Sequence, residues 1–155
     1  MTTQAELRKV LARDGLPGLV AALNADVPYR FTGVFVQDGG LLRNVALYDK
    51  TSPSPPLWAP FPVIESFCSL IFENGAPLVI GHAQGDARSE VREHAASATV
   101  QSYCGIPVFG ADGEVIGTLC HFDFAPIKSQ VDLEQLLQAP PLMAPYLTGQ
   151  SQGQG

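Results

Sequence analysis

Apolar positions recur at helical spacing at the start of the chain. Over residues 4–13, Leu7, Val10 and Leu11 fall on one side of a helix that Gly15 ends. Pro17 then suits the first position of a second helix through residue 24, whose stripe is Leu16, Leu19, Val20 and Leu23. Core packing accounts for both stripes; a face that pairs two copies of the chain is the alternative. The period then changes. Residues 31–37 and 41–49 are β-prone runs separated by Asp38-Gly39-Gly40, a hairpin signal because Asp favours turns and Gly tolerates positive φ. Residues 51–62 carry Pro53, Pro55, Pro56, Pro60 and Pro62 and exclude a helix or a central strand. A proline loop of this length inside a small domain is more often functional than idle, and it holds Trp58, the sole tryptophan.

The pattern predicts a further helix over residues 64–74 that starts near Ser66, with Glu65 and Ser66 as N-terminal residues and Asn74-Gly75 as the stop. A short strand follows over 77–81, and the mixed-charge stretch 85–98 holds a surface helix over 88–96. The last helix spans 129–138, with Val131, Leu133, Leu136 and Leu137 apolar. Pro140-Pro141 breaks it, residues 142–147 pack back as another turn, and 149–155, only Gly, Gln and Ser, read as a disordered tail.

Residues 102–123 stand apart from this alternation. Two runs, apolar at almost every position, flank Ala111-Asp112-Gly113. Strands of that kind are covered on both faces and lie centrally in a sheet. Pro107 cannot donate to a ladder and marks a local gap or bulge. If Phe109 lies opposite Glu114, Cys104 faces Leu119 and the thiols of Cys104 and Cys120 are on opposite sides; a one-residue shift brings them together. Otherwise both cysteines act as small buried hydrophobes. Hairpins with flanking helices predict an α+β fold, a central antiparallel sheet with helices on its faces, as one domain over residues 1–148.

The chain has 155 residues, 46% hydrophobic and 15% charged, which fits one globular domain and excludes a disordered chain. A net charge of −6 argues against nucleic acid or an anionic membrane as partner. No apolar run reaches the ~18 residues of a membrane span, and the start lacks the pattern of a signal peptide, so a cytoplasmic location is expected. Three cysteines, an odd number, are then expected as free thiols.

Tyr103-Cys104-Gly105-Ile106-Pro107-Val108, then Asp112-Gly113, then Ile116-Gly117-Thr118-Leu119-Cys120-His121-Phe122-Asp123 resembles the central hairpin of GAF domains, small sensory modules of signalling proteins. The likeness extends upstream through Ser66-Phe67-Cys68-Ser69-Leu70-Ile71, Gly75-Ala76-Pro77-Leu78-Val79-Ile80 and Asp86-Ala87-Arg88, in the order and spacing of that family's middle section. It runs from about residue 16 to about residue 148. The resemblance implies a GAF-like, PAS-related sheet with a ligand pocket between the sheet and residues 51–92. It also implies a stand-alone sensory module that binds a small ligand and signals to a separate partner protein.

The helix start at Ser66 is the first candidate for chemistry. Leading N–H groups of a helix lack intrahelical partners, and the peptide dipoles make that end positive. The N–H groups of Phe67, Cys68 and Ser69 would then hold a small anion, in a cavity closed by Trp58, Phe61, Tyr103 and Ile106; some single-domain GAF receptors bind nitrate in such a pocket. Otherwise Ser66 only caps the helix and Trp58 plugs a core gap. One branch of the family reduces free methionine sulfoxide with cysteines. Cys68 lies near one of its cysteine positions, but residues 51–65 and 85–103, where the others would lie, contain none. A third alternative is an interaction or dimerisation domain with a filled core. Cyclic-nucleotide GAF domains carry an Asn-Lys-Phe-Asp-Glu signature without a match here. Bilin attachment needs an accessible cysteine, and Cys104 and Cys120 fall in central strands. His82, His94 and His121 show no metal-ligand spacing, so no metal or cofactor is implied.

Overall fold

Two long hairpins lie side by side in the computed structural model, which describes residues 2–52, 54–128 and 133–152. The first joins β1 (Phe31–Asp38) to β2 (Leu41–Asp49), and the second joins β5 (Ser102–Phe109) to β6 (Val115–Asp123). Two short strands, β3 (Phe61–Pro62) and β4 (Leu78–Ile80), complete a six-stranded antiparallel sheet in the order β3-β2-β1-β6-β5-β4. Glycine makes both turns possible. Gly39 sits at φ 63° and Gly113 at φ 86°, backbone that L side chains rarely adopt. The helices are α1 (Gln4–Asn24), α2 (Cys68–Asn74), α3 (Ser89–Arg92), α4 (Glu134–Leu137) and α5 (Pro140–Gln152). This is a GAF-like α+β fold.

The helical stripe of α1 is buried as its spacing dictates. Thr3 and Glu6 form a reciprocal capping box, and Gly15 kinks the helix at φ 71°, so the two expected segments meet at the expected residue. Leu7, Leu11, Leu16, Leu19, Val20 and Leu23 pack with Val34, Ile106, Val108 and Leu119 of the sheet and with Met143 and Leu147 of α5. The stripe is thus spent inside the chain, and a dimer face draws no support from it. The opposite face of the sheet carries a second core built on Phe35, Leu42, Tyr103, Cys120 and Phe122, under Phe67, Cys68 and Ile71 of the α2 region. Both faces of β5 and β6 are therefore covered, as their unbroken apolar runs require.

Several boundaries differ from the sequence expectation. α2 starts at Cys68, not Ser66, after a 3-10 turn over Val63–Glu65. The helix expected over 88–96 is one turn of α3 followed by a 3-10 turn over Ala95–Ala98. Pro140-Pro141 opens α5 instead of only ending α4, because proline fits the first turn of a helix, where its missing N–H is no loss. α5 continues through Gln152, so the tail expected from residue 149 is helical there; residues 153–155, and 129–132 of the expected last helix, lie outside the described residues. Among the described residues no helix is long and apolar enough to cross a membrane.

Register separates the thiols of the central hairpin. Phe109 pairs with Val115, but a bulge between Val108 and Phe109 shifts the ladder, so that Cys104 pairs with His121 and Gly105 with Cys120, while Pro107 itself stays in register with Thr118. Directly opposite residues share a face, so Cys104 and Cys120 point to opposite sides of the sheet. Without the bulge, the pairing at the hairpin tip would have set the two cysteines opposite each other.

Candidate ligand cavity

Alternation along the strands aims one set of side chains at a cavity of about 450 Å³ between the sheet and the α2 region. β1 contributes Phe35, β5 Tyr103, and β6 Cys120 and Phe122. Trp58 and Phe61 close one side, and Glu65, Ser66, Phe67 and Cys68 form the roof. Ala95, Ala96, Thr99, Val100 and Phe124 complete the wall. The rings brace one another: Trp58 meets Phe122 edge-on at 5.4 Å and Phe31 at 5.7 Å between centroids. Among the described residues Glu65 is the single charged one in the lining, and it is solvent-exposed.

Cys68 sits at the roof with its Sγ 3.1 Å from the Tyr103 hydroxyl and 3.2 Å from Thr118 Oγ1. Burial disfavours its thiolate, but hydrogen bonds from Cys120, Ser66, Thr118 and Tyr103 outweigh that and bring its pKa to about 6. Cys120 ionises second: burial and the neighbouring Cys68 sulfur push its thiol well above the usual range. Tyr103 is held neutral by burial and by the adjacent sulfurs. All three cysteines are free.

Trp58, Phe61, Ser66, Phe67, Cys68 and Tyr103 lie together around the cavity. Ile106 and Ser69 do not. Ile106 is three residues from Tyr103, an odd separation on a strand, so it faces α1 and α5 in the other core. Ser69 turns away: its hydroxyl donates to the Ser66 carbonyl at 2.8 Å and lies 3.0 Å from His94 Nε2. Two of the three N–H groups expected to hold an anion are already engaged. The Cys68 N–H already donates to Ser66 Oγ at 3.0 Å, and the Ser69 N–H to the Ser66 carbonyl at 3.0 Å. Ser66 thus takes up two of the leading N–H groups of the α2 region, and among the described residues no basic side chain lines the cavity.

Sequence reasoning missed Phe35, Cys120, Phe122 and Phe124. Knowing which face of β6 met Tyr103 would have found Cys120 and Phe122, but the bulge hid that register. His121 lies on the opposite face, where its Nδ1 is 2.6 Å from Thr32 Oγ1 and its ring stacks on Tyr29. Among the described residues no three His, Cys, Asp or Glu side chains gather in a geometry that could hold a metal ion.

No curated protein sequence matches the chain. Solved structures do. A phycocyanobilin-bound GAF domain from a cyanobacterial phytochrome superposes with a TM-score of 0.71 at 18% identity, over 97% of this chain and 96% of that one. The GAF domain of an Acinetobacter phosphoenolpyruvate-protein phosphotransferase gives 0.69 at 14% identity, with 100% of both chains covered. The type II free methionine-R-sulfoxide reductase of Thermoplasma acidophilum gives 0.66 at 20% identity, over 94% of this chain and 96% of that one. At these identities the likeness speaks for the fold alone. The sequence profile of the GAF domain, however, matches residues 13–139, most of the chain. The chain belongs to the GAF domain family.

Proposed function

We propose that the chain is a sensory module whose cavity binds a small molecule with an apolar body and a neutral or positively charged head, and that the bound state is passed to a separate partner protein. The observation that carries this is the lining: six aromatic rings beside Tyr103, with Glu65 as the one charge among the described residues. Such a site favours flat or aliphatic groups, and ring faces beside a carboxylate suit an ammonium better than an anion. Binding would order the Trp58 segment and so shift an equilibrium between two states of the loop. A thermal-shift and Trp58-fluorescence series with nitrate, indole and benzyltrimethylammonium tests the proposal. Stabilisation by indole or the cation is expected. A response to nitrate alone, or to none of the three, would overturn it.

A second reading is a thiol-dependent reductase of free methionine sulfoxide, the activity named for several solved structures of this fold. What favours it is that Cys68 and Cys120 both border the cavity. Loss of free thiols on adding methionine sulfoxide, abolished by Cys68→Ser, would support it, and absence of turnover would remove it.

A further inference from the structure

We propose that Cys68 and Cys120 form a two-thiol redox site in the cavity, and that a small hydroperoxide entering the cavity oxidises them to an intramolecular disulfide. The proposal goes beyond ligand sensing, since it needs no organic ligand.

Cys68 and Cys120 border one cavity, Cys68 from the roof and Cys120 from the sheet. Cys120 pairs with Gly33 on one side and with Gly105 on the other, so both of its cross-strand neighbours lack side chains. Phe35 folds over the first glycine, and Tyr103 over the second, where an added Cβ would sit 2.6 Å from the Tyr103 hydroxyl. Cys120 is thus flanked by two ring-covered glycines, and Cys68, the first residue of α2, borders the same cavity from the opposite side. The hydroxyls of Tyr103 and Thr118 converge on the Cys68 sulfur from two directions. Two neutral hydroxyls aimed at one buried sulfur stabilise it as an anion, the form that acts as nucleophile. Cys104 is out of reach on the other face.

The chemistry balances without a cofactor. The Cys68 thiolate attacks the terminal oxygen of the hydroperoxide; the O–O bond breaks, and the leaving alkoxide or hydroxide takes the proton that Cys68 gave up. Cys68 becomes a sulfenic acid. The Cys120 sulfur then attacks the Cys68 sulfur, the S–O bond breaks, and the hydroxide departs with the Cys120 proton as water. Two thiols and one hydroperoxide give one disulfide, one alcohol or water, and one water. The bond would fasten α2 to β6 across the cavity.

The test uses the full, reduced chain treated with hydrogen peroxide, then unfolded, alkylated and mapped by peptide mass spectrometry. The expected result is a fall in alkylated thiols from three to one, a Cys68–Cys120 linked peptide, and reversal by dithiothreitol. Cys104→Ala is expected to keep the link. Cys120→Ala is expected to stop at a Cys68 sulfenic acid that dimedone traps. Three surviving thiols in the wild-type chain, a link through Cys104, or a link only between two chains would overturn the proposal. Methionine sulfoxide in a parallel arm separates the two ideas: peroxide oxidation without any loss to the sulfoxide supports the redox site and removes the reductase.

Discussion

Asn44 holds Trp58. Its Oδ1 accepts the Trp58 backbone N–H at 3.1 Å, while its Nδ2 donates to the carbonyls of Val34 at 3.1 Å and Ala46 at 2.8 Å. The clamp sits at a bulge between β1 and β2, where Val34 pairs with Ala46 but Phe35 pairs with Asn44. A bulge leaves ladder groups unpaired, and this buried amide satisfies them while tethering the wall of the cavity.

Asn44→Ala should therefore act in two places at once. Removing the amide leaves buried backbone groups without partners and should lower stability by about 2–3 kcal/mol, measured by urea unfolding. It should also free the loop, read as a shift of Trp58 emission to longer wavelength in the folded state. Unchanged emission would mean that the aromatic contacts alone hold the loop.

His121 should make stability depend on pH. Burial, with the Lys50 charge as a lesser cause, lowers its pKa to about 4. Its Nδ1 shares a hydrogen bond with Thr32 Oγ1, which in turn accepts from Asn24, and no carboxylate faces the ring among these contacts. The unfolded chain binds a proton near pH 6.5 and the folded chain only near pH 4. Stability is thus full above pH 6.5 and falls on acidification through that window, by about 3 kcal/mol at most. His94, lowered chiefly by burial, adds in the same direction. Urea unfolding at several pH values should show the slope in the wild type and a shallower one in His121→Gln.

Gly105→Ala should disturb Cys68 without touching it. The added methyl would meet the Tyr103 hydroxyl at 2.6 Å and Ile71 Cδ1 at 2.7 Å. Both belong to packed side chains, so overpacking should cost about 1–3 kcal/mol. Displacing the Tyr103 hydroxyl should also raise the Cys68 pKa, seen as a thiol-alkylation profile moved to higher pH.

Ile106→Ala and Trp58→Ala should separate the two faces of the sheet. Ile106 is fully buried under α1 and α5, and its truncation should cost about 2–5 kcal/mol while leaving any cavity ligand bound. Trp58 is partly exposed, and its loss should remove the response to indole with a smaller cost in stability. Thermal unfolding with and without indole distinguishes the two.

The hairpins, the helix kink and the doubly covered strands were legible because single residues carry them: Gly39, Gly113, Gly15, and runs without a polar position. The resemblance to GAF domains is what placed Tyr103, Trp58 and Cys68 around one pocket. What could not be read was register. Ile106 stands an odd three residues from Tyr103, so plain alternation already excluded it from the cavity; leaving out Cys120 and weighing a Cys104–Cys120 pairing turn instead on how two strands are registered. Two bulges, at Val34/Phe35 and Val108/Phe109, reset that register by one residue. A bulge is a property of two strands together, and one strand's pattern does not announce it. Ser66 misled differently: its hydroxyl and carbonyl accept from the Cys68 and Ser69 N–H groups that a ligand would need.

The outermost strands of the sheet are two and three residues long, Phe61–Pro62 and Leu78–Ile80. A ribbon as greasy as residues 102–123 would template growth of further strands if its flanks were long and regular. Here the rows of free backbone groups are too short to recruit another chain, and Pro62 removes one donor outright. Edges this short give edge-to-edge growth of the sheet little to build on.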